Sequence, residues 1–304
     1  MNELLTHYLP VLLITVLIMW YLLSGRRRYR ARTAICDDER ELAVISAVKA
    51  LARQHQLIAH VHVPLTALAD TKLTPRLLRR FYADMAPQEV QFAFTDHQGQ
   101  LICACDLSGD YRPQPPNALK EEILSRCGLP YVHALCSSDN GYSLAGLQQL
   151  LAHPQAAPPS PWQTPDDLAA ACTRRQYLLN VSENRLLRRH LQPLAERHGL
   201  QVCCQTRLAS LLEARGSRAL QAIDKKSVDF VITDDQLHPL VLIELDGPHH
   251  RLLHRRRADR VKNRAVRQAR LPLIRFKNYG RCQEHSFRRA FIRLDRALAA
   301  AGCT

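Results

Sequence analysis

Apolar and polar positions along this chain fall into distinct regimes. Residues Leu4 to Leu23, LLTHYLPVLLITVLIMWYLL, are predominantly apolar and carry no charge. About 20 such residues are what a helix needs to cross a ~30 Å hydrocarbon layer, so this run predicts a transmembrane span. Pro10 falls in its first half, where a membrane helix tolerates it. Beyond the span, a 3.6-residue apolar period appears twice. It marks a helix around Glu39 to Gln54 through Val44, Val48 and Leu51, and another around Ser182 to His198 through Leu187, Leu191 and Leu194.

Both helices open a repeat. The first copy continues through VPLTAL, VQFAFTDHQGQLICACDLSG (Val90 to Gly109) and NALKEEILSRCGLPYV (Asn117 to Val132). The second continues through TRLASL, VDFVITDDQLHPLVLIELDG (Val228 to Gly247) and DRVKNRAVRQARLPLI (Asp259 to Ile274). The central 20-residue blocks align without a gap. Each copy reads as helix, strand, variable loop, β-hairpin, helix, strand. In the second, Val228 to Thr233 and Leu240 to Leu245 are apolar runs joined by a polar turn, which predicts a hairpin in a buried sheet. Asp259 to Arg270 predicts a helix, and Leu271 to Phe276 a strand with Pro272 near its start, where no ladder donor is lost. The fold class is therefore α/β: a transmembrane helix over residues 1–25, then two tandem domains over 26–136 and 169–304, each a mixed sheet flanked by helices. Residues 137–168, which contain HPQAAPPSPWQTP, read as a Pro/Ala-rich linker.

Charge sharpens this outline. The 304-residue chain carries a net charge of +14, with 42 Lys+Arg against 28 Asp+Glu. From Gly247 onward there are 16 Lys and Arg and only three acids, Asp259, Glu284 and Asp295, so almost the whole excess lies in the C-terminal segment. A basic block confined to one region points to a local polyanion site. A second cluster, Arg26, Arg27, Arg28, Arg30 and Arg32, follows the apolar run directly, with only Glu3 before it. This order opposes that of a cleaved signal peptide and places the body of the protein in the cytoplasm, single-pass on the inner membrane. The ten cysteines are scattered and form no CxxC pair, which in that compartment predicts reduced, buried thiols rather than disulfides or a zinc site at Cys103 and Cys105.

The second copy also concentrates acids. Asp229 lies on the first hairpin strand and Glu244 on the second, with Asp246 two residues further on and therefore on the same face as Glu244. Acids in a buried strand need a partner or an ion. Three carboxylates converging at a hairpin end form a hard oxygen site suited to Mg2+ or Mn2+ as cofactor, with no small-molecule cofactor required. Phosphodiester hydrolysis uses such an ion, and the basic helix downstream would hold the nucleic-acid backbone through Arg255, Arg256, Arg257, Arg260, Arg264 and Arg267.

These residues, VDFVITDDQLHPLVLIELDGPHH followed by RADRVKNRAVRQARLPLIRF, resemble the PD-(D/E)XK restriction-endonuclease-like superfamily. The branch is the one with an E-x-D-G-x-x-H signature, shared with very-short-patch-repair-like nucleases. More closely, the span, the IELD block and the K-x-x-x-x-x-x-A-x-L-P-L ending resemble a bacterial family known as domain of unknown function 2726. The resemblance covers about 95 residues of the second half well and the first half faintly. It implies metal ligands at Asp229 and Glu244 and a third polar group at Asp246, where the superfamily's simplest motif has a lysine. Lys262 is then either a migrated catalytic lysine or a phosphate contact. His250 is either a general acid/base or, like His249, a loop residue. Glu183 is either an accessory acid or a solvated helix N-terminal carboxylate beside Ser182.

The first copy lacks most of this chemistry. Gln91 stands for Asp229, Ser108 for Asp246 and Arg112 for His250, while Asp106 stands for Glu244 and Lys120 for Lys262. It reads as a degenerate domain that keeps the apolar framework without a metal site. Three functions follow: a membrane-tethered nuclease acting on DNA or RNA, a nuclease-like module that binds without turnover, or a lipid-binding protein. The last fits the juxtamembrane arginines, but the distal basic block lies about 220 residues away in the chain and follows acids that lipid binding does not require.

Overall fold

The computed structural model describes residues 28–36, 38–71, 88–109, 116–136, 144–155, 172–247, 253–278 and 283–303. Of residues 71, 253–258 and 283–284 it describes the backbone alone. The predicted span lies outside the described residues, among which no helix is long and apolar enough to cross a membrane.

The repeat is visible element by element. The first half runs β1 (Tyr29–Ala31), α1 (Glu39–Gln54), β2 (Ile58–Pro64), the single turn α2 (Leu65–Leu68), β3 (Ala69–Thr71), β4 (Glu89–Thr95), β5 (Leu101–Ser108), α3 (Ala118–Arg126) and β6 (Tyr131–Leu135). Helix α4 (Ala145–Ala152) follows. The second half runs β7 (Cys172–Arg174), α5 (Val181–Leu186), a π turn (Leu187–Leu191), α6 (Gln192–Arg197), β8 (Gln201–Arg207), α7 (Leu208–Leu211), β9 (Leu212–Ala214), α8 (Ser217–Asp224), β10 (Ser227–Thr233), β11 (Pro239–Asp246), α9 (Leu253–Ala269) and β12 (Leu273–Lys277). Helix α10 (Gln283–Ala300) ends it.

Each half builds a four-stranded mixed sheet, in the order β2-β4-β5-β6 and β8-β10-β11-β12. The first three strands are antiparallel and the last pairs in parallel, which requires a crossover segment, here α3 or α9. Irregularities recur too. The hairpins bulge at equivalent places, Phe94/Thr95 and Ile232/Thr233. His62 and Gln205 both take φ of 52° just before the single-turn helix, a left-handed conformation unusual outside glycine. The π turn precedes Pro193, whose ring lacks the N–H that a regular ladder would use.

The halves expected as successive domains are interlocked. Strand β1 of the first half pairs with β9 of the second, and β7 of the second pairs with β3 of the first. Two apolar layers result, and each contains residues of both halves. One includes Val63, Leu68, Ile123, Leu187, Phe230, Ile243 and Phe276. The other includes Val44, Val48, Phe92, Cys105, Val231, Leu242 and Val266. The helix periodicity holds, since Val44, Val48, Leu51, Leu187, Leu191 and Leu194 are all buried. The expected linker is structured over Ala145–Ala152, where α4 buries Leu147, Leu150 and Leu151. Apolar spacing at i, i+3 and i+4 decides this locally over the Pro/Ala-rich composition around it. The nine described cysteines are free thiols, seven of them buried. Burial is the main cause that pushes Cys103 up to about 12.

This sharing of strands and core predicts that neither half is stable alone. Residues 172–303 expressed by themselves should give no cooperative thermal unfolding. Co-expression with residues 28–155 as a separate chain should restore one transition and co-purification of the two pieces. A cooperative transition for the second half alone would contradict the interlock.

Candidate active site

The second-half acids come together where β10 and β11 diverge. Asp229 is the residue beyond the last paired position, Phe230 opposite Ile243. Its Oδ2 accepts the Leu245 backbone N–H at 2.8 Å. Glu244 is 3% exposed and Asp246 8%, both on the α9 side of the sheet with Leu242, as a period of two requires. From α9, Lys262 Nζ donates to Glu244 Oε1 and to the Ser227 carbonyl, the latter at 3.1 Å. From β12, Arg275 Nη1 donates to Asp246 Oδ1 at 2.6 Å and lies 3.6 Å from Glu244 Oε2. Its Nη2 donates to Asn263 Oδ1 at 2.9 Å.

Glu183 completes the cluster from the opening helix. The N-cap is Asn180, and Glu183 closes a capping box by accepting the Asn180 N–H at 2.9 Å. Asn184, beside it, donates to the carbonyl of Gln98 in the first half's hairpin turn. Gly99 of that turn has φ of 83°, and a Cβ there would meet the Asn184 side chain at 3.0 Å. The degenerate half thus braces the helix that carries Glu183.

Electrostatics set the cluster apart. Burial, then the Glu183 carboxylate, raises Asp229 to about 6 although the Leu245 N–H opposes this. Burial also raises Glu183, and Glu244 adds to it. Glu244 is raised by burial against the pull of Lys262. Burial would lower Arg275, but Glu244 and Asp246 outweigh it and hold it cationic. Glu183, Asp229, Glu244 and Asp246 thus face Lys262 and Arg275, with Arg175 acting on Glu183, so carboxylates outnumber the cations around them.

The first half resolves the same frame differently. Lys120 bridges Asp106 and the Glu89 carbonyl as Lys262 bridges Glu244 and Ser227. Gln91 occupies the place of Asp229: its Oε1 accepts the Leu107 N–H at 3.0 Å, and its Nε2 donates to Glu41 Oε1 at 3.1 Å. Glu41 is the counterpart of Glu183, third in its helix after N-cap Asp38. An amide N–H therefore lies between the helix acid and the strand in one copy, and a second carboxylate in the other. A cavity of about 820 Å³ covers this first-half site, lined by Cys36, Glu41, His62, Glu89 and Arg207.

The remaining predicted residues divide. His249 and His250 lie outside the described residues, as do the side chains of Arg255, Arg256 and Arg257 at the site end of α9. Arg260, Arg264 and Arg267 are exposed. At 100° per residue they lie roughly 140° to 200° around the helix from Lys262, away from the cluster. Arg275 was missed, although a charged residue alternating within the apolar LPLIRF strand carried the same signal that marked Glu244. Among the described residues no group of three or more His, Cys, Asp or Glu side chains forms a ready metal cage, and Asp246 is engaged by Arg275.

Fold and cluster define a two-copy α/β protein with a buried carboxylate site in one copy. Residues 175–294 match the family described as "Protein of unknown function (DUF2726)", which supports the resemblance to that family. A protein of Haemophilus influenzae, named only as uncharacterized, is 30% identical over 112 residues. That stretch is 36% of this chain and 59% of the relative's length. No solved structure matches.

The raised Asp229 carboxyl has a measurable consequence. The fold holds a proton there between the usual 3.8 and about 6, whereas the unfolded chain does not, so stability falls as pH rises through that window. At about 1.4 kcal/mol per pKa unit, the cost above pH 6 is roughly 2 to 3 kcal/mol in the absence of a bound cation. Asp229→Asn, whose Oδ1 can still accept the Leu245 N–H, should be more stable than wild type by about that amount at pH 8. Urea titrations should show the two converging near pH 4. An unchanged gap across pH would contradict the reading.

Proposed function

We propose that this protein is a membrane-tethered, divalent-metal-dependent nuclease of the restriction-endonuclease-like type, hydrolysing phosphodiester bonds of DNA at the cytoplasmic face of the inner membrane. One observation carries the reading. The two copies share a frame, yet the position where the first places the neutral, donating Gln91 holds Asp229 in the second, facing Glu183. Retaining mutually repelling buried carboxylates is costly unless a cation joins them. The donor set fits Mg2+ or Mn2+: all hard oxygens, with Asp229 and Glu244 as ligands and Glu183 beside them. Mg2+ commonly takes only one or two carboxylates, the rest being water and substrate oxygen. When bound, the ion supplies charge neutralisation at the scissile phosphate and an activated water.

The chain's own residues have distinct tasks. Lys262 and Arg275 pair with Glu244 and Asp246 and set the orientation of both carboxylates. His250, four residues after Asp246 in the sequence, is the residue to which the resemblance assigns proton transfer. Arg255, Arg256 and Arg257 stand at the end of α9 nearest the carboxylates, which suits phosphate contact. The membrane assignment rests on the apolar run and the arginines after it. A specific observation favours the alternative of binding without turnover: Lys262 is tied to Glu244 just as Lys120 is tied to Asp106 in the copy without a metal site.

Two experiments separate these readings. The full chain should cleave plasmid DNA with Mg2+ or Mn2+, and Asp229→Asn or Glu244→Gln should lower the rate at least 100-fold while retaining binding. Mg2+ should also raise the melting temperature of wild type and not of Asp229→Asn. No cleavage with any divalent metal, together with intact salt-dependent binding, would establish the non-catalytic alternative. In either case Arg255→Gln, Arg256→Gln and Arg257→Gln together should flatten the slope of log affinity against log salt by up to ~0.9 per lost phosphate contact. An unchanged slope would remove these residues from the interface.

A further inference from the structure

The strand exchange brings the start of the described chain onto the basic helix α9. The Arg28 backbone N–H donates to Gln268 Oε1 at 3.3 Å, and the Arg215 N–H donates to the Arg28 carbonyl at 2.8 Å. The Tyr29 hydroxyl donates to the Ala219 carbonyl of α8 at 3.2 Å. Arg264 lies close enough to Tyr29 to act on its ionisation. Strand β1 therefore fastens α8, β9 and the C-terminal half of α9 around a single point. Arg28, Arg30, Arg215, Arg218, Arg264 and Arg267 are all exposed about that point. Among the described residues none of these six forms an ion pair. Glu213, opposite Arg30, is the one acid in the strand pair. Leu220 of α8 is 47% exposed beside them.

That point is also where the chain leads to its apolar segment. Only Ser24, Gly25, Arg26 and Arg27 separate Leu23 from Arg28. At about 3.5 Å per residue, five residue steps span at most ~18 Å. A basic block about 220 residues from the apolar run in sequence thus lies within a few residues of it in the fold.

We propose that this arginine face is a docking surface for an anionic phospholipid bilayer, holding the body of the protein flat against the membrane that residues 4–23 enter. The proposal rests on reading that run as a span. Charge complementarity and the short tether both favour lipid, because the negative surface potential decays within about a Debye length, ~8 Å. Orientation disfavours nucleic acid here. Arg264 is two residues beyond Lys262, about 200° around the helix, so a polyanion lying at the carboxylates faces the other side of α9. The helix divides its work accordingly, with Lys262 and Asp259 turned to the site and Arg264 and Gln268 turned to the tether.

The test compares the full chain reconstituted into nanodiscs of neutral phosphatidylcholine and of the same lipid with 30% phosphatidylglycerol, read by hydrogen exchange. Peptides covering 213–221 and 261–270 should exchange at least fivefold more slowly in the anionic discs. Arg215→Gln, Arg218→Gln, Arg264→Gln and Arg267→Gln together should abolish that difference, with an unchanged melting temperature establishing that the variant is folded. Equal exchange in both discs overturns the proposal. Protection of these peptides by a DNA duplex in neutral discs, without protection by anionic lipid, overturns it in favour of a nucleic-acid surface. The span is read separately, from flotation of the chain with neutral vesicles after alkaline washing. If that fails, arginine-dependent flotation with anionic vesicles alone still supports the surface, and its absence overturns it.

Discussion

The reciprocal exchange of two three-residue strands is the constraint on which the rest of this molecule depends. Each half lends its entry strand to the other, β1 to β9 and β7 to β3. Residues from both halves then fill both apolar layers. A repeat that had merely been duplicated in tandem could lose one copy without harm to the other. Here the first copy cannot be discarded, because it supplies a strand, part of the core, and the hairpin turn that braces Asn184 next to Glu183. This gives a physical reason for a copy that keeps Val90, Phe92 and Leu107 at 0% exposure while its polar positions have changed.

Within that frame, one residue difference changes the electrostatics of a whole site. The lysine linking a strand acid to a neighbouring carbonyl is present in both copies, so it belongs to the framework. Gln91 satisfies both the Leu107 N–H and the Glu41 carboxylate. Asp229 accepts the Leu245 N–H but, as a carboxylate, has nothing to donate to Glu183, whose charge adds to burial in raising Asp229. Arg275, in turn, stands in the strand position that His133 takes in the first copy. The two halves thus act as an internal control, one showing what the fold requires and the other what was added to it.

The basic C-terminal segment changes most in meaning. Read linearly, it is a single positive block far from the apolar run. In the fold it forms surfaces with different neighbours. The N-terminal end of α9 lies by the carboxylates, its far end lies by β1, and α10 carries exposed Arg288, Arg289, Arg293 and Arg296 on the layer that contains Phe276. Sequence distance was a poor guide because a single strand pairing closes a loop of some 180 residues, and closure entropy grows only slowly with loop length.

The sequence by itself determined the elements whose signals are local. The periods of 3.6 and 2 located α1, the β10–β11 hairpin and the buried faces of Val44, Val48 and Leu187, because side-chain direction within one helix or strand is set by backbone geometry alone. Gapless repetition exposed the odd acids at 229 and 246 for the same reason. The tertiary structure alone decided what depends on non-local pairing: the strand exchange, the bracing of the helix that carries Glu183, the convergence of Arg275 on Asp246, and the meeting of α9 with β1. Three-residue strands have no readable period, and a charged partner drawn from another strand leaves no mark in the spacing of the acids it neutralises.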